Sequence, residues 1–242
     1  MNALTTRFVR RLRERDEAAW FELWQDFGPA IRFQLHKWGR GRVGFETVQD
    51  LTQDTLAELS KCIDRYDPNR GARFSTWLLS IAKHILGDEM DRRNAKKRGS
   101  GVKPLSLDER IDSKSAVLQV DEIFEQRMFG AKICAAIRRT ETEVDFLHFQ
   151  VWRMRVLDNK IGKEISTQLG ISEPTVSRHV AKIRKHLRQT IMQVVMQYSF
   201  TPEEEDEAST AGLAGNDTEF DAAVCETYHH HQLFLEKESA GL

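Results

Sequence analysis

The chain has 242 residues, 40% of them hydrophobic and 30% charged, which suits one large or two small globular domains. No apolar run approaches the ~20 residues a bilayer span requires, and the N-terminal MNALTTRFVRRLRERD lacks the apolar core of a secretory signal. The net charge of −1 hides an asymmetry: residues 1–199 carry 35 Lys and Arg against 26 Asp and Glu, while residues 200–242 carry one Lys and 11 acids. A basic body with an acidic tail is a pattern common among nucleic-acid binders. Cys62, Cys134 and Cys225 lie far apart, which excludes a disulfide framework and suits a reducing cytoplasm.

Taken in chain order, Trp20, Trp24, Phe27, Ile31, Leu35 and Trp38 recur at helical steps, interrupted only by Gly28-Pro29. Residues 39–44, GRGRVG, match the GxGxxG dinucleotide fingerprint in form. A helical stripe rather than a strand precedes them, so they read as a basic interhelical loop. Val48, Leu51, Thr55, Leu59 and Cys62 form a second stripe. Ser75 is expected to cap a third helix, with Phe74 stapling onto Leu79 and Trp77, Leu78, Ile81 and Ile85 continuing its core side. Residues 99–116, rich in Ser, Gly and charge, read as a flexible linker able to reach about 60 Å when extended. Helical pattern resumes near Val117 and runs, with breaks, to about Tyr198. Residues 201–219, TPEEEDEASTAGLAGNDTE, read as disordered. Phe220, Val224, Tyr228, His231 and Leu235 then give a short amphipathic helix. No window alternates for long enough to form a strand, so the expected fold is all-α.

The most specific segment is residues 158–190, DNKIGKEISTQLGISEPTVSRHVAKIRKHLRQT. Ile161, Ile165 and Leu169 mark one short helix, Gly170 stands where a left-handed C-cap is needed, and Ser172 caps the next helix. Glu173 and Pro174 suit that helix's first turn, and Val176, Val180, Ile183 and Leu187 supply its buried face. The opposite face carries Thr175, Arg178, Lys182 and Lys185, flanked by Ser177 and His179. Arg and Lys donate to guanine edges or phosphates, and Thr meets a thymine methyl. A helix-turn-helix of this kind sets its second helix in the major groove; the plain alternative is an αα-hairpin with a solvated basic face.

Residues 50–93 decide the class. They contain Asp50-Leu51-x-Gln53-Asp54, Tyr66-Asp67-Pro68, Gly71, the run Phe74-Ser75-Thr76-Trp77-Leu78 leading into Ile81-Ala82, and Asp91-Arg92-Arg93. This stretch resembles the second conserved region of bacterial sigma factors, and residues 141–188 resemble the fourth. With only a linker between them, the arrangement is similar to the compact extracytoplasmic-function (ECF) subgroup. The resemblance implies region 2 over residues 1–98, a linker over 99–116, region 4 over 117–199 and an acidic extension over 200–242.

It also implies roles. Asp50, Gln53, Asp54 and Glu58, within three helical turns, would dock on core RNA polymerase. Lys83, His84, Arg92, Arg93, Asn94 and Lys97 would hold the opened minus-ten element, with the loop Asp64 to Arg73 taking a base drawn from the stack. Thr175, Ser177, Arg178, His179, Lys182 and Lys185 would read the minus-35 duplex. His84 stands where many relatives have Asn, so minus-ten preference does not transfer. The implied partners are core RNA polymerase and promoter DNA, with an anti-sigma factor or other regulatory partner as a further candidate. The implied location is the bacterial cytoplasm and nucleoid, without membrane insertion.

No catalytic residues, cofactor or metal set is expected; the alternative to a sigma factor is a stand-alone helix-turn-helix regulator. Three weaker signals remain. Cys225 and His229, four apart, offer two soft metal ligands of an incomplete set. The acidic tail is either an inert solubilising segment or an internal regulator competing with DNA for the basic faces. Thr52 and Thr55, inside the docking helix, are candidate phosphorylation sites.

Overall fold

The computed structural model describes residues 3–39, 42–65, 73–98, 122–199 and 201–239. Among these residues every regular element is helical, as the periodicity predicts. The expected linker 99–116, the loop residues 66–72 and the Lys97 side chain lie outside the described set. The chain divides into two compact units, one of residues 9–128 and one of residues 1–8 with 129–240, apart from the last two residues.

In the first unit α2 (Glu17–Gly39), α3 (Phe45–Cys62) and α4 (Phe74–Arg98) pack together, joined by residues of α1 (Ala3–Arg13). Helix α2 runs unbroken through Pro29. Its core stripe is Ala19, Leu23, Phe27, Ile31 and Leu35, whereas Trp20, Trp24 and Trp38 are only half-buried. The sequence stripe is therefore rotated by part of a turn. The indoles keep a polar edge outward, Trp20 Nε1 donating to Leu12 O at 3.2 Å and the Arg32 guanidinium lying 5.6 Å from the Trp24 ring. The GRGRVG segment joins two helices: Gly39 ends α2 and Gly44 is the N-cap of α3.

Ser75 does not cap α4. The helix begins at Phe74, with Trp77 N–H bonding Arg73 O at 3.1 Å. Ser75 Oγ donates instead to Glu125 Oε1 at 2.6 Å, and Arg73 Nη1 donates to Glu125 Oε2 at 3.1 Å. Glu125 lies at the start of α5 (Glu122–Glu143), so a single carboxylate fastens that turn to the head of α4. Trp77, expected in the core, is half-buried with its ring 6.1 Å from that of Phe74.

In the second unit α6 (Phe146–Val156), α7 (Gly162–Leu169) and α8 (Glu173–Gln197) pack on one another around Phe149, Trp152, Ile165, Val176, Ile183 and Leu187. Residues 3–8 join this unit: the Thr5 hydroxyl reaches Ser199 O at 2.7 Å, and Phe8 meets Tyr198 edge-on at 5.0 Å. Residues 201–239 do not form the partly disordered tail the composition suggests. They fold into α9 (Pro202–Glu205), α10 (Glu207–Thr210) and α11 (Asp217–Ser239). The reasons are local and tertiary. Thr201 and Glu204 form a reciprocal capping box. Ala208, Leu213, Phe220 and Val224 are buried, and Glu207 pairs at 2.7 Å with Lys132, whose side chain is 4% exposed.

Candidate nucleic-acid interface

The helix-turn-helix forms by the local rules its sequence follows. Asp145 caps α6, its Oδ1 accepting from His148 N–H at 3.1 Å. Gly170 ends α7 at φ 67° and ψ 29°, left-handed geometry that an L side chain disfavours. Ser166 Oγ donates to Ile171 O at 2.6 Å and tightens the turn. Ser172 then caps α8, accepting from Thr175 N–H at 3.3 Å, with Pro174 in the first turn. Val176, Val180, Ile183 and Leu187 are buried as the spacing predicts, but Ile161 is 55% exposed because it is the N-cap of α7 rather than a core residue.

The outward face of α8 carries Arg178, Lys182 and Lys185 exposed and Thr175 half-buried. Arg178 and Lys185 make no ion pair among the described residues, so their charges stand open to an anionic partner. The Ser177 hydroxyl bonds Glu173 O at 3.2 Å. His179 stacks on His148 of α6, ring centroids 4.1 Å apart, and Lys182 Nζ lies 3.4 Å from His148 Nδ1. Burial, reinforced by the positive potential of His148 and Lys182, holds the His179 imidazole below its usual value, with Asp145 partly opposing.

One flank of α8 is occupied by the extension. Arg184 forks onto Asp221 at 2.9 and 2.6 Å and reaches Asp217 at 2.7 Å. Arg188 donates to Leu213 O and Gly215 O, each at 2.9 Å, with its guanidinium 4.1 Å from the Phe220 ring centre. At 100° per residue these arginines lie well round the helix from Arg178 and Lys182. The tail acids they hold are thus satisfied beside the reading face, not on it. Among the described residues no acid of the extension pairs with Arg178 or Lys185.

In the first unit Asp50, Gln53 and Asp54 are exposed on α3, and Glu58 is half-buried and paired with Lys61 at 2.9 Å. Asp50, Gln53 and Asp54 point away from the buried Val48, Leu51, Thr55 and Leu59, whereas Glu58 lies about 20° round the helix from Leu51, at the edge of the core side. Thr52 and Thr55 lie in that core, each donating at 2.7 Å to the carbonyl four residues back, Val48 O and Leu51 O. That corrects their reading as phosphorylation sites: both hydroxyls are fully buried and engaged.

On α4, Lys83, Arg92 and Asn94 are exposed, and His84 is half-buried and 3.1 Å from Asp88. Arg93 acts as a brace, bonding Glu89 at 2.6 Å, Arg42 O at 2.8 Å and Thr47 Oγ1 at 2.9 Å. Glu89, itself buried, also accepts from Arg92 at 2.7 Å. Burial would raise its carboxyl, but the hydrogen bonds from Arg93 and Arg92 outweigh that and hold it below the usual range.

Cys225 Sγ lies 3.4 Å from His229 Nδ1, and burial pushes the thiol up, away from the thiolate a metal takes. Among the described residues no group of three or more His, Cys, Asp and Glu side chains is placed to hold a metal ion. The residues that sequence pattern did not single out are His148, Arg184, Arg188 and Lys132. Only Arg184 and Arg188 left a signal: their spacing of four matches that of Asp217 and Asp221.

A capped helix-turn-helix with an open basic face defines a DNA-binding protein of the transcription class. Comparison with known proteins sets the family. Residues 63–193, just over half the chain, match the model described as "ECF sigma factor", and residues 23–96 match "Sigma-70 region 2". The chain belongs to the ECF sigma factor family, whose role is in transcription initiation and which is not an enzyme class. It is also similar to an ECF RNA polymerase sigma factor RpoE of Cereibacter sphaeroides, 26% identical over 182 residues that cover 74% of this chain and 92% of the relative. No helix among the described residues is long and apolar enough to cross a membrane.

Proposed function

We propose that this chain binds core RNA polymerase, brings it to promoters and takes part in opening the DNA. Asp50, Gln53, Asp54 and Glu58 dock α3 on the polymerase. Lys83, His84, Arg92, Asn94 and Lys97 meet the opened minus-ten strand, with Arg93 bracing that helix through Glu89 and Thr47. Thr175, Arg178, His179, Lys182 and Lys185 read duplex upstream, with Ser177 close by. Region 2 takes residues 1–98, the linker 99–116 and region 4 residues 117–199, while 200–242 serves as an extension built onto the region 4 unit. An anti-sigma factor or other regulatory partner would act on the same two faces, and the working location is the bacterial cytoplasm and nucleoid.

The observation that carries this reading is the open basic face of α8, set by Gly170 and Ser172, on a chain of this family. Run-off transcription with purified core polymerase and a genomic template library tests it. Promoter-specific transcripts absent with core alone are expected. Duplex binding without any effect on polymerase would reduce the protein to a stand-alone regulator.

A further inference from the structure

We propose that His148, His179 and Lys182 form a proton-linked seat for a DNA backbone phosphate, with His148 supplied by α6 from outside the two helices of the reading motif. This rests on the duplex-reading role proposed above and deepens it. The rings of His148 and His179 are 4.1 Å apart and tilted by 34°, and Lys182 Nζ sits 3.4 Å from His148 Nδ1. An ammonium only donates, so it satisfies Nδ1 only where that nitrogen carries no proton, whereas a phosphate accepts from the ammonium and from every ring N–H.

The charged groups acting on His179 are His148, Lys182 and Asp145. Asp145 is already engaged in capping α6 and stands 3.8 Å from the His148 ring. Two imidazoliums beside an ammonium would repel one another with this single carboxylate to offset them. A backbone phosphate supplies the missing negative charge and the acceptor oxygens. Phosphate binding therefore draws protons onto the rings: a neutral ring that takes one up goes from one N–H to two, and the proton comes from solvent. Binding must then tighten as pH falls, by up to tenfold per pH unit for each proton taken up. His186, on the same helix, is held by Glu143 at 3.0 Å and serves as the control.

The test uses the full chain and a labelled mixed-sequence DNA duplex at constant ionic strength. Affinity is read from about pH 8 to about pH 5.5, the range in which histidine titrates. Wild type is expected to bind at the upper end and to gain affinity on the way down, by up to about tenfold per pH unit for each ring that takes up a proton. His148→Gln and His179→Gln should each flatten that slope, and His186→Gln should leave it unchanged. Proton NMR titration of the intact protein guards against misfolded variants: the His148 and His179 ring signals should titrate at higher pH when duplex is present. A wild-type affinity independent of pH, a slope that survives in the double variant, or ring titrations unmoved by duplex would overturn the inference while the duplex-reading role stands. No binding at any pH would overturn both.

Discussion

Gly170 shows how much one backbone angle decides. At φ 67° it turns the chain between α7 and α8, and a methyl group added there would meet nothing within 4 Å. Any effect of Gly170→Ala therefore comes from conformation and not from crowding. The substitution is expected to destabilise the helix-turn-helix unit by about 1 kcal/mol, read as a lower denaturation midpoint with an unchanged slope. Glu89 is the matching case for charge. Its depressed carboxyl contributes stability that is present above the unfolded Glu value and is lost as pH falls through the lower folded one. Glu89→Gln should cost about 1 to 2 kcal/mol near neutral pH, because Arg93 and Arg92 lose their shared anion. Chemical denaturation of both proteins down the acid limb should show that gap closing as wild-type Glu89 protonates.

At the scale of elements, what the sequence made legible was local. Cap, turn glycine, first-turn proline and buried periodicity all act within a few residues, so α7 and α8 could be read almost to their ends. Contacts between elements could not. Ser75 looks like a cap until Glu125, fifty residues on, takes its hydroxyl. Trp20 and Trp24 look like core until the packing of α2 assigns the fully buried places to Leu23 and Phe27. Thr52 and Thr55 look modifiable until both prove fully buried in the first unit. The His148–His179 stack joins two helices and leaves no periodic trace. Composition misled most over residues 201–219, where acids that suggest disorder in isolation find Lys132 and a capping threonine. The paired spacing of Arg184 and Arg188 with Asp217 and Asp221 was the available clue. A double-mutant cycle on Arg184 and Asp221, through Arg184→Ala, Asp221→Ala and both together, is expected to give a coupling of about 1 kcal/mol. The bidentate fork and the shielded position of Arg184 favour a value above that of a solvated pair, and additive losses would show that the fork is incidental.

For the whole molecule, the extension can act on DNA binding by cover or by field, and the two predict different salt dependence. Cover would hide the reading face, so removal would raise affinity at every ionic strength. The arrangement of α9–α11 argues for field: Arg178 and Lys185 are open while Asp217 and Asp221 answer Arg184 and Arg188 on the flank. Deleting residues 200–242 removes one Lys and 11 acids and bares those two arginines. It also uncovers apolar surface, since Ala208, Leu213, Phe220 and Val224 are buried. Full burial of a side chain such as Phe or Val stabilises by about 1.5 to 3 kcal/mol, so the truncated chain should melt several degrees lower. Below that melting point its duplex affinity should exceed wild type at low salt, and the two should converge as ionic strength rises toward 1 M, where the Debye length falls to about 3 Å. Fluorescence anisotropy across a salt series reads this directly. A gain in affinity that persists at high salt would restore the extension to the role of a lid over the reading helix.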